Sequence, residues 1–178
     1  MAKTDNPHAE RLYQSLLTYT DEATAAQIAH HIPLSKSADA KKKFAWAEDV
    51  CVSLAARFDD ETIRAIRMDC ACGPGMGKIG ALQKLYAQSA DWDDFVAKAN
   101  ALHQGFTIRH ENGALFLHYP ECYCSCVKQV DQAMPVSWCY CTLGYTKKMF
   151  TYILGRAVAV ELIESVKTGG RQCIIKVV

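Results

Sequence analysis

The chain has 178 residues, half of them apolar and 22% charged, with 20 Lys and Arg against 19 Asp and Glu for a formal net charge of +1. A chain this long buries one sizeable core, and so even a balance leaves no field that would gather nucleic acid or an anionic membrane. The apolar stretches fall short of the roughly 20 residues a bilayer span needs, and residues 1–20 are acidic and polar where an export signal would be apolar, so a cytosolic protein bound to neither nucleic acid nor membrane is expected.

The first hundred residues read as helices. Asn6 is placed to cap a helix with Pro7 at its first position, and Tyr13, Leu16 and Leu17 give it an apolar stripe. A second short helix is predicted over 21–31, stopped by Pro33. The strongest period follows, since Phe44, Ala47, Cys51, Leu54, Ala55 and Phe58 recur at three- and four-residue steps and share one helix face. Ile63 and Ile66 continue the pattern after the cap candidates Asp59 and Asp60. Two more helices are carried by Ile79, Leu82, Leu85 and Tyr86, then by Trp92, Phe95, Val96, Ala99 and Leu102 behind the cap Asp91.

After Gly105 the period becomes two. Residues 106–110 and 114–119 flank Glu111-Asn112-Gly113, a strong hairpin signal, and a second hairpin is predicted from 157–166 and 172–177 around Gly169-Gly170. Between them, residues 144–154 have helical character and Gly155 stands where a terminator belongs. Helices first and mostly strands after predict a single α+β domain over 1–178, with helices from 1–104 packed on a C-terminal antiparallel sheet from 105–178.

The compositional anomaly is nine Cys, seven of them at alternate spacing: Cys70 and Cys72; Cys122, Cys124 and Cys126; Cys139 and Cys141. Without an export signal, thiols, metal ligands or redox groups are expected rather than a disulfide framework. If residues 122–126 and 139–141 are extended, side chains two apart leave the same sheet face, and neighbouring strands pool their sulfur. The turn Gly73-Pro74-Gly75 could carry Cys70 and Cys72 toward that pool.

Three chemistries use such a pool. Zinc takes four thiolates, with Cys70, Cys72, Cys124, Cys126, Cys139 and Cys141 the candidate ligands; an iron–sulfur cluster also takes four, but at C-x2-C spacings. Alternatively a low-pKa thiolate attacks a substrate, or a dithiol senses redox state. For attack the candidates are Cys122 and Cys139, with His118, four residues before Cys122, as base. Cys51, on an apolar helix face, reads as a plain hydrophobe. Gly75, Gly77 and Gly80 fit a dinucleotide fingerprint by spacing alone, without the preceding strand or the following acidic residue. Trp138, Tyr123, Tyr140, Tyr145 and Phe150 could wall a ligand pocket or simply fill the core.

The segments Tyr119-Pro120-Glu121-Cys122-Tyr123-Cys124, Trp138-Cys139-Tyr140-Cys141-Thr142-Leu143-Gly144-Tyr145 and residues 160–177 resemble bacterial proteins similar to L-2-amino-thiazoline-4-carboxylic acid hydrolase and the 4-vinyl reductase domain. The resemblance covers about a third of the chain. It implies an α+β ligand-binding domain, often a homodimer, and in the hydrolase branch the opening of a thiazoline ring; Cys173 and one Cys each from 122–126 and 139–141 fall on recurring Cys positions. The doubled and tripled C-x-C spacing and Cys70 with Cys72 exceed that pattern and mark a Cys-rich branch. The expectation is a thiol-lined site for a metal, zinc first, or a small-molecule ligand, with a hydrolase or a thiol redox sensor as the alternatives.

Overall fold

The computed structural model describes residues 5–71, 76–102 and 105–178. It is an α+β chain whose helices come mostly before its four-stranded antiparallel sheet. The chain folds as two compact units, one of Met1–Cys72 with Tyr123–Cys141 and one of Gly73–Cys122 with Thr142–Val178.

The first unit is built from α1 (Pro7–Leu16), α2 (Glu22–His30), α3 (Ala40–Ala55) and α4 (Asp60–Asp69). Each starts at a side-chain cap that satisfies an orphan backbone N–H: Asn6, Asp21, Asp39 and Asp59 in turn. Their apolar stripes meet inside, with Leu12 and Leu16 of α1, Ile28 of α2, Phe44, Val50 and Leu54 of α3, and Ile63 and Ile66 of α4 all buried. The returning segment adds a short 3-10 helix, Val136–Cys139, entered from Pro135.

The second unit holds α5 (Met76–Ala87), α6 (Trp92–Asn100), β1 (Thr107–Glu111), β2 (Ala114–Tyr119), most of α7 (Tyr140–Leu154), β3 (Val160–Glu164) and β4 (Cys173–Val177). The sheet order is β1-β2-β4-β3. Asn112 and Gly113 both have positive φ, 51° and 75°, as the two-residue turn between β1 and β2 requires. Ile108, Leu117, Ile175 and Leu162 lie opposite one another across the four strands and therefore share one face. Ile108, Leu115 and Leu117 of that face share one apolar core with Ile79, Leu82 and Phe95 from α5 and α6 and with Met149, Phe150 and Ile153 from α7.

The helix predicted over 144–154 begins earlier, at Tyr140, and so absorbs Cys141. No helix among the described residues is long and apolar enough to cross a membrane.

Candidate functional site

The site grows from one irregularity on α4. Ile63, Ile66 and Cys70 follow the helical period and are buried, and Arg67 stands among them, only 3% exposed. Its guanidinium lies 4.1 Å from the centre of the Trp138 ring, and its Nη2 donates to the Trp138 carbonyl at 3.0 Å. Trp138 is held in turn by an edge contact with Trp46, whose indole N–H donates to the Ala29 carbonyl at 3.0 Å. Around this stack lies a small pocket in the first unit, lined by His8, Trp46, Arg67, Cys70, Cys124, Trp138 and Cys141. It has roughly the room one water needs.

Arg67 pairs with no carboxylate among the described residues. Burial works against its charge, and the sulfurs of Cys141, Cys70, Cys51 and Cys124 around it push the other way, so that on balance its pKa is raised and the guanidinium stays protonated. The sulfurs are not equivalent. Burial pushes the Cys70 and Cys51 thiols up despite the nearby Arg67, and Cys70 donates its S–H to the Ile66 carbonyl at 3.2 Å.

Cys124 is pushed down to about 5, by the Cys126 S–H first, against burial, then by the Trp138 side chain, the Cys126 backbone N–H and His8. Cys126 thus serves Cys124 twice, through its S–H and through its backbone N–H. The indole N–H of Trp138 is buried with no partner at ordinary hydrogen-bond geometry, so ionised Cys124 is the acceptor it serves. A second buried donor, Arg67 Nε–H, has no partner either.

His8 flanks the pocket as a neutral donor, and acts on Cys124 as a charge only where acid protonates its ring. The Arg11 guanidinium can only donate, so His8 Nδ1 accepts from it at 3.1 Å and Nε2 carries the proton, donating to Ser125 Oγ at 2.9 Å. Burial, then the Arg11 charge, pushes His8 down. It therefore cannot serve Ser125 as a base through Nε2.

A family model matches residues 1–178. The chain belongs to DUF6144, a family of unknown function. No curated protein matches the sequence. Among solved structures the chain is similar to an H-NOX domain from Shewanella oneidensis, determined by NMR in its Fe(II)CO ligation state, at 12% identity and a TM-score of 0.47 over 97% of this chain and 96% of that one.

Each of the three cysteine clusters of this DUF6144 chain brings a thiol toward Arg67, but not by leaving a sheet face together. Residues 122–124 are irregular and 125–129 form a turn, while Cys139 ends the 3-10 helix and Cys141 lies in the first turn of α7. The predicted alternation on extended strands is therefore corrected. The sheet draws its strands from residues 107–119 and 160–177, and the Pro135 entry starts helical structure just where the second cluster stands. Two residues apart on a helix point about 200° apart, which is why Cys141 faces the pocket and Cys139 does not line it.

Cys126 reaches the site through Cys124, and Cys122 is not among the lining residues. Cys72 and the Gly73-Pro74 turn lie outside the described residues. His118 is on β2, with Nδ1 3.3 Å from Gln172 Oε1. Among the described residues no three or more His, Cys, Asp or Glu side chains are arranged to hold a metal ion. Sequence reasoning missed Arg67, His8, Trp46 and the place of Cys51 beside Arg67. A charged residue on the apolar face of α4 is the signal that could have found the first.

Proposed function

We propose that this protein works through a thiol-lined small-ligand site in which ionised Cys124, paired with Cys126, is the reactive group. The carrying observation is the buried Arg67, a guanidinium with sulfur around it and no carboxylate among the described residues to balance it. An uncompensated buried charge is costly, and a neighbouring thiolate is the compensation these side chains offer. The unequal sulfurs support a reactive thiol over a structural cage: Cys124 is pushed down while Cys70 and Cys51 are pushed up.

Limiting iodoacetamide at pH 6, followed by peptide mapping of the full chain, tests the reading. Cys124 is expected to be labelled first. Labelling spread evenly over the cysteines, or led by Cys122 or Cys139, would count against it, and the second pattern would favour the hydrolase reading with His118 as base.

Zinc is the metal expected from the cysteine spacing, although among the described residues no three or more His, Cys, Asp or Glu side chains are arranged to hold it. A zinc site requires stoichiometric metal after anaerobic purification and melting that falls with a chelator.

A further inference from the structure

We infer that the ligand of this pocket is a small peroxide, which oxidises Cys124 and leaves it joined to Cys126 as a disulfide. The inference rests on the reactive-thiol reading above and adds the oxidant and the second sulfur.

Size comes first. The space beside Cys124 has room for about one water-sized group, so one oxygen of hydrogen peroxide enters it with the other toward the pocket mouth, while the substituent of a bulky hydroperoxide or a glutathione-sized disulfide crowds the lining. The lining comes second. Arg67 Nε–H is a buried donor without a partner in a pocket that also holds a sulfur nucleophile. A peroxide oxygen accepts that hydrogen bond and needs no charge to do so, which matters where a thiolate already balances the guanidinium.

The chain path comes third. The backbone N–H groups of Val127 and Lys128 both donate to the Cys124 carbonyl, at 3.1 and 2.9 Å, so the chain turns back on itself here and holds Cys126 at Cys124. Cys126 is 1% exposed, which shields it from solution oxidants but not from its neighbour.

The steps balance. The Cys124 thiolate attacks one peroxide oxygen, the S–O bond forms and the O–O bond breaks, and the departing hydroxide takes a proton to become water. Cys124 is then a sulfenic acid. The sulfur of Cys126 attacks it, the S–S bond forms, and the sulfenic oxygen leaves as water with the Cys126 proton. Two thiols are oxidised and one peroxide is reduced to two waters.

The test mixes reduced, full-length protein with hydrogen peroxide and, in parallel, with cumene hydroperoxide, counting thiols and mapping the products by mass spectrometry. Two thiols are expected to be lost per hydrogen peroxide, linking Cys124 to Cys126, at least about tenfold faster than in Cys124→Ser and than with cumene hydroperoxide. Cys126→Ser is expected to stop at a sulfenic acid on Cys124 that dimedone traps, a result that does not depend on the folding of Cys124→Ser. If Cys124 alkylates with a low pH midpoint but meets peroxide no faster than free cysteine, the peroxide inference fails and the reactive-thiol reading stands. An ordinary alkylation midpoint removes both. A disulfide from Cys124 to any other cysteine overturns the role given to Cys126.

Discussion

The ionisation of Cys124 has a consequence that depends on pH more than on absolute rate. Lowering a thiol from 9.0 to about 5 multiplies the thiolate present in acid. At pH 5.5 a thiol of pKa about 9 is ionised to roughly 0.03% and one of pKa about 5 to roughly 76%, a ratio of about 2,400. Basicity lost is nucleophilicity lost: a Brønsted slope of about 0.45 over about four pKa units divides the rate by roughly 60. Cys124 should therefore react with methyl methanethiosulfonate about 40-fold faster than free cysteine at pH 5.5, and at nearly the same rate at pH 7, where the ionisation advantage falls to roughly 100. The assay is stopped-flow modification from pH 4 to 9, with the modified cysteine assigned by mass. Cys126→Ala removes the S–H donor that contributes most to the low value, so its rate profile should move to higher pH. A wild-type midpoint near that of free cysteine, or a Cys126→Ala profile superposed on the wild type, would refute the assignment.

The same ionisation links stability to pH. The folded value of Cys124 lies below the unfolded one, so its contribution is complete above about pH 9 and drains away as pH falls to about 5. Denaturant midpoints of wild type should accordingly drop over that window by more than those of Cys124→Ser. Removing Arg67 tests the buried charge directly. Arg67→Ala loses the Trp138 stack and the bond to its carbonyl and leaves the thiolate without its cation, for about 3–5 kcal/mol. Arg67→Met fills the space and should cost less, while raising the pH midpoint of Cys124 modification. In the second unit, a Cβ on Gly170 would stand 2.5 Å from Glu164 Cγ and 2.9 Å from the Ser165 carbonyl oxygen. Gly170→Ala should lower the thermal midpoint by the equivalent of about 1–3 kcal/mol with no effect on Cys124 reactivity.

The fold was legible wherever local chemistry is strong. Asn6 with Pro7, Asp59 and Asp91 each cap the helix they announce, and Asn112-Gly113 makes the turn its dipeptide demands. The failure lies between residues 120 and 141, where alternating Cys mimics a strand. Period two is evidence for a strand when the alternating residues are apolar and the chain has a neighbour to pair with. Glu121, Ser125, Lys128 and Gln129 interrupt the segment here, and β2, the strand it follows, is already paired on both sides, by β1 and β4.

The site was half legible for a related reason. That separate Cys clusters meet could be guessed from their number, because sulfur pairs placed far apart in a chain are unusual without a shared purpose. What they meet could not. A cysteine cluster says nothing about which donors face each sulfur, and those donors separate an inert apolar thiol from a thiolate. In this protein one of them, Trp138, is held by Arg67, which follows Ile63 by four residues and precedes Cys70 by three, and so falls on the one helix face where a cation has no solvent. A buried cation on an amphipathic helix must find its anion elsewhere in the sequence. With nine Cys in the chain and no carboxylate paired to Arg67 among the described residues, sulfur is the anion-forming group around it, and the reactivity proposed for Cys124 rests on donors from Cys126 and from Trp138, the residue that Arg67 of α4 holds by its stack and its bond to the carbonyl.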